Sequence, residues 1–201
     1  MFKARHRLLA TAFAYAEQGI AVRQAYSVIR TASALDAFGR WRCACGDLTC
    51  QRPGTHASGD DWLTDIADVA RVWSTPQSPN LLATSGAAVW FWKLPRVIGA
   101  YGMRLFEQQR PGPWPPLLKL PSGDWVVATA RPVAGVTLAT GVSAFQPGTP
   151  VLMPPSRLPS GRTRWLQSPA FPQTPLPSAE SVHELVQQAE RERFELLGYV
   201  G

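Results

Sequence analysis

Leu9, Ala12, Phe13 and Ala16 recur at helical spacing near the start of the chain, and Gly19 supplies a stop. Residues 20–29 are richer in β-branched and aromatic side chains and predict a strand. Residues 31–58 read as loop and hold every cysteine. A second helix is expected over 65–74. Ile66, Val69, Ala70 and Trp73 form its apolar face, and Thr64 or Asp65 can cap it. Short apolar runs at 81–84, 87–92, 117–120, 125–130 and 151–153 predict strands, punctuated by turns such as Ser122-Gly123-Asp124 and Pro147-Gly148.

One helix interrupts these strands over 96–109, with Pro95 suited to its first turn and Val97, Ile98, Tyr101 and Leu105 facing inward. The prolines of 111–116 end it. A proline-rich linker follows at 169–177. Ser181-x-x-Glu184 reads as a capping box for a last helix, whose stripe is Val182, Leu185, Val186 and Ala189. Helices flanking a mixed or antiparallel sheet imply an α+β fold. The expected organisation is one domain over 1–168, including a knuckle at 41–57, then the linker and a C-terminal helix over 178–201.

At 201 residues and 45% apolar composition the chain can bury a real core. No apolar run is long enough for a membrane helix. The basic N-terminal stretch reads as an amphipathic helix and not a secretory signal, so a cytoplasmic protein is expected. The net charge of +6 and pI of 9.7 favour an acidic partner such as nucleic acid. Lys3, Lys93 and Lys119 are the only lysines, and the remaining basic residues are arginines.

Cys43, Cys45 and Cys50 fall within eight residues, and His56 follows Pro53-Gly54. Clustered cysteines in a reducing compartment favour metal over disulfides. Three thiolates and one imidazole complete a tetrahedral zinc site, closed to water and hence structural. The alternatives are three reduced surface cysteines, or a Cys45–Cys50 disulfide with Cys43 spare. A serine-histidine catalyst is not expected, because His56 is committed to metal and His6 and His183 lie far off in sequence. Eight tryptophans are many for this length. Trp90 and Trp92 share one strand face, which suits either a stacking platform for bases or a packed core.

Several segments together resemble the bifunctional primase-polymerase N-terminal domain of the archaeo-eukaryotic primase superfamily. These are Ala14-Tyr15-Ala16-Glu17-Gln18-Gly19, and Arg42-Cys43-Ala44-Cys45-Gly46-Asp47 with Cys50, Pro53-Gly54 and His56. Then come 70–73 with Pro79-Asn80 and Ser85-Gly86, and Val151-Leu152-Met153-Pro154-Pro155-Ser156 with Ser160-Gly161 and Trp165. The resemblance spans about 9–169. It implies DNA-copying or priming chemistry in DNA replication, with two divalent metals held by carboxylates on a split sheet.

The matching positions depart from that pattern. Trp90 and Lys93 stand where acids are expected, and Val126 stands where a histidine is expected. The stretch Val136-Thr137-Leu138, where a third acid should fall, is uncharged. Between Asp68 and Glu180 the only acids are Glu107 and Asp124, against ten basic residues. The resemblance therefore implies a degenerate member, catalytically impaired and retained for binding nucleic acid, single-stranded DNA above all. Lys93, Lys119 and Arg131 are the candidate phosphate contacts. One alternative is a regulatory or protein-interaction domain with a protein partner and no nucleic acid. Another is an active nucleotidyltransferase using magnesium or manganese on acids from unexpected segments.

Overall fold

The computed structural model describes residues 2–33, 36–59, 61–74, 79–109, 115–132, 140–168 and 175–196. The chain forms two compact units, Met1–Thr84 with Gly148–Arg164, and Ser85–Pro147 with Trp165–Gly201. The last helix belongs to the second unit, so the division does not follow the single domain plus terminal helix drawn from the sequence. Among the described residues, four helices and antiparallel strand pairs make the fold α+β. Among the described residues no helix is long and apolar enough to cross a membrane.

In the first unit, α1 (Phe2–Ala16) buries Leu8, Ala12, Tyr15 and Ala16, a face rotated slightly from the expected one. It packs beside α2 (Ile66–Trp73). Asp65 caps α2 as expected, accepting from the backbone N–H of Ala67 and Asp68 at 2.8 and 3.0 Å. Val69 and Trp73 are buried, but Ile66 in the first turn is largely exposed. The expected strand over 20–29 divides into β1 (Val22–Ala25) and β2 (Val28–Ser33). Strand β1 pairs with β4 (Asn80–Ala83), which pairs on its other side with β9 (Val151–Met153). Ala25, Leu82 and Leu152 pack together in that sheet, with Trp62 and Leu158 against them.

The stretch expected to be loop instead contains a strand, β3 (Asp36–Cys43), hairpinned onto β2. Arginines on a two-stranded ribbon obscure the alternation that marks a strand in sequence. The register sets Val28 opposite Cys43, Ile29 opposite Arg42 and Arg30 opposite Trp41. A second small hairpin joins β10 (Arg157–Leu158) to β11 (Gly161–Arg162).

The second unit is built on a five-stranded sheet. It contains β5 (Trp90–Leu94), β6 (Leu117–Lys119), β7 (Trp125–Thr129), β8 (Ser143–Ala144) and β12 (Arg164–Gln167), in the order β12-β6-β7-β5-β8. The Ser122-Gly123-Asp124 turn forms where the sequence placed it, between β6 and β7, with Gly123 at a φ of 94°. Helices α3 (Arg96–Gln109) and α4 (Ala179–Leu196) pack on one sheet face. There Trp92, Leu94, Leu117 and Val127 meet Ile98 of α3 and Ala179, Val182 and Val186 of α4. Each such large apolar side chain, fully buried, stabilises by roughly 1.5–3 kcal/mol. Leu105, Phe106, Leu185 and Ala189 extend the contact between the helices.

Two details differ from the sequence reading. Val97 is exposed, leaving Ile98 as the inward residue at the start of α3. Helix α4 begins earlier, with the Ser178 hydroxyl accepting from the Ser181 N–H at 3.1 Å. Ser178 is therefore the capping residue, and Ser181 lies inside the first turn.

Candidate metal centre

Cys43 ends β3, where its backbone is pinned opposite Val28 and the next residue's N–H donates to the Ser27 carbonyl at 2.9 Å. The chain then turns through Gly46 at a φ of 86°. Asp47 braces this turn, accepting from both the N–H and the hydroxyl of Thr49 at 2.8 Å. Those two bonds hold the Asp47 carboxyl below its ordinary range. Cys50 donates its N–H to the Asp47 carbonyl at 3.4 Å. Gly54, at a φ of 82°, returns the chain so that the His56 carbonyl accepts from the Tyr26 N–H at 3.1 Å. The Tyr26 ring lies beside the imidazole, centroids 4.8 Å apart.

This path brings together Cys43, Cys45, Cys50 and His56. One donor atom from each lies within 4.8 Å of all the others. His56 Nε2 is 3.1 Å from Cys43 Sγ and 3.4 Å from Cys50 Sγ. Tetrahedral coordination with metal–sulfur bonds near ~2.3 Å would separate ligand atoms by ~3.5–3.8 Å, so only small adjustments are needed. Among the described residues this is the one group of three or more metal-capable side chains. No disulfide links the cysteines.

The electrostatics suit a cation. Burial alone pushes the Cys43 thiol up, but the backbone N–H groups of Cys45 and Gly54 and the His56 ring outweigh it and lower its pKa to about 7. At Cys45 the Asp47 N–H favours the thiolate, yet desolvation and the Cys43 and Cys50 sulfurs leave the pKa raised. Three sulfurs this close oppose one another's ionisation, and a bound metal ion removes that penalty. The group can hold a metal, and the donor set is soft.

A residue to which the sequence reading gave no role supports this loop. The buried side chain of Asn80 donates to the Gly54 carbonyl at 2.8 Å and to the Arg157 carbonyl at 2.7 Å. Its oxygen accepts the Arg157 N–H at 2.9 Å. Gly54 is so close to Asn80 and Leu158 that an added Cβ would lie 2.8 Å from Leu158 Cδ2 and 2.9 Å from Asn80 Nδ2. The sequence places Asn80 only within a resembling segment and gives no sign of this role, because its partners are backbone atoms 26 and 77 residues away.

The other candidate residues lie on the second unit's sheet. Lys93 stands opposite Val126, and its ammonium reaches the Asp124 carboxylate at 2.8 Å. That bond to Lys93 lowers the Asp124 pKa. Val126 is fully buried. Lys119 pairs with Trp125, one register position along, so Lys93 and Lys119 point to opposite sheet faces. Arg131 is exposed beyond the end of β7. The structure does not bring Lys93 and Lys119 to one sheet face. The stretch 136–138 lies outside the described residues.

The aromatic strand face is core. Trp92 is buried and donates its indole N–H to Thr129 Oγ1 at 2.8 Å, and Trp90 and Trp125 pack against the same cluster. On this face Trp92 is taken up in the core that α3 and α4 cover, and Trp90 is partly buried against it.

No family model, no curated protein and no solved structure matches the chain.

Proposed function

We propose that the chain is a primase-polymerase-like protein that has lost polymerase chemistry, holds a structural zinc ion and binds single-stranded nucleic acid. One observation carries the reading. Where three or more metal-capable side chains converge among the described residues, the donors are sulfur and nitrogen, with no carboxylate. Two-metal phosphoryl transfer needs hard oxygen ligands. Cys43, Cys45, Cys50 and His56 instead fit a closed zinc site that braces the loop and activates no water. The Lys93–Asp124 pair also supports it, since a lysine occupies the strand position expected to carry an acid, and it engages the nearby carboxylate. The nucleic-acid half rests on the net charge of +6 and the resemblance of the sequence segments.

The experiment has two arms. With magnesium or manganese the protein should incorporate no nucleotide onto a primer above a matched blank. Incorporation abolished by mutating one of its own carboxylates would refute the loss of chemistry. Labelled single-stranded oligonucleotides should bind at low salt and dissociate steeply as salt rises, by counterion release. No binding at low salt would reject the nucleic-acid reading and favour a protein-interaction domain.

A further inference from the structure

Arg157 lies beside the candidate metal loop and has no carboxylate partner among the described residues. Its guanidinium carbon lies 4.2 Å from the centre of the Trp41 ring. Its Nε is buried and has no hydrogen-bond partner among the described residues. A buried guanidinium N–H without an acceptor is costly, and stacking on an indole offsets only part of the charge's desolvation. Native interiors satisfy such groups, so this guanidinium keeps hydrogen-bonding capacity that the described residues leave unused.

Both halves of the stack are fixed by the metal knuckle. Trp41 is two residues before Cys43 on β3. The Arg157 backbone is clamped by Asn80, which also holds the Gly54 carbonyl. The surroundings are basic. Arg162 stands opposite Arg157 in the β10–β11 register and is exposed, and Arg30 stands opposite Trp41 in the β2–β3 register. The guanidinium's N–H groups can match two oxygens of a phosphate bidentately.

We propose that Arg157, held on Trp41 and assisted by Arg162, is a binding site for a phosphate oxyanion, assembled by the metal-ordered loop. The proposal rests on the nucleic-acid reading only for the source of the phosphate, a strand's backbone as opposed to free phosphate. It moves the principal phosphate contact from the second unit's sheet to the first unit.

The test uses the full, metal-loaded chain. Arginine Nε–H signals are followed by NMR during titration with inorganic phosphate, and the Arg157 signal is assigned by its absence from Arg157→Lys. In parallel, anisotropy of a labelled oligothymidylate is measured across salt for wild type, Arg157→Lys and Arg157→Gln. The Arg157 signal should shift saturably. Both variants should bind the oligonucleotide about tenfold more weakly, and Arg157→Gln should flatten the salt slope by about one.

A shifting Arg157 signal with no oligonucleotide binding by wild type would uphold the phosphate site, assign it to free phosphate and reject the nucleic-acid reading. An unmoved signal with equal oligonucleotide affinity in all three proteins would overturn the site and leave the nucleic-acid reading standing. The wild-type titration decides the point even if a variant misfolds.

Discussion

The side-chain amide of Asn80 donates to the carbonyl of Gly54 at 2.8 Å, tying the metal loop to the sheet strand β4. The same side chain holds Arg157 by both its N–H and its carbonyl. Because Asn80 is buried, water cannot replace these bonds when it is removed. Asn80→Ala should lower unfolding free energy by about 2–4 kcal/mol, the cost of several unsatisfied buried groups. Urea unfolding of the metal-loaded protein checks this. An effect below about 0.5 kcal/mol, as expected of a surface substitution, would show that the clamp is not structural.

Two glycines of α3 should respond oppositely to alanine. A Cβ at Gly99 would meet Trp125 Cε3 at 2.5 Å, inside the packed second-unit core. Gly99→Ala should destabilise by roughly 1–3 kcal/mol through overpacking. A Cβ at Gly102 meets nothing within 4 Å, and the residue lies in mid-helix. Gly102→Ala should stabilise by about 0.4–1 kcal/mol by restricting the unfolded chain. Denaturation midpoints of the two variants should move in opposite directions.

Burial lowers the pKa of His183, whose ring contacts Gln187 on the next turn of α4 at 3.0 Å. A base whose folded pKa is depressed binds fewer protons folded than unfolded. Its stabilising contribution is thus full above the ordinary histidine pKa of about 6.5 and is lost as pH falls through the folded value. The stability difference between wild type and His183→Gln should shrink below about pH 6.5 in wild type's disfavour. A difference that is flat from neutral pH into the acid range would contradict this. Comparing the two proteins cancels the acid sensitivity of the metal ligands, which both share.

Parts of this protein were plain in its sequence, for identifiable reasons. Helix α2 announced itself because Val69 and Trp73 repeat at helical spacing after a capping Asp65. The Cys3His cluster was legible because all four candidate ligands fall within one short segment, where spacing alone constrains geometry. The β2–β3 hairpin was hidden, since Arg30, Trp41 and Arg42 occupy positions that would otherwise alternate apolar and polar. Strands of two residues, such as β8, β10 and β11, leave no period to read. The fate of Trp92 depended on α4 arriving from 90 residues away, and the Lys93–Asp124 pair on a hairpin register. Such long-range contacts are not encoded in any local pattern.

The most direct test is the metal content of freshly purified, reduced protein, with and without Cys45→Ser. Wild type should carry about one zinc per chain, as four-ligand coordination requires, and chelation should lower its unfolding midpoint because binding free energy is folding free energy. Cys45→Ser should lose most of the metal and melt like the chelated wild type. Wild-type protein free of zinc, and equally stable with or without chelator, would contradict the account.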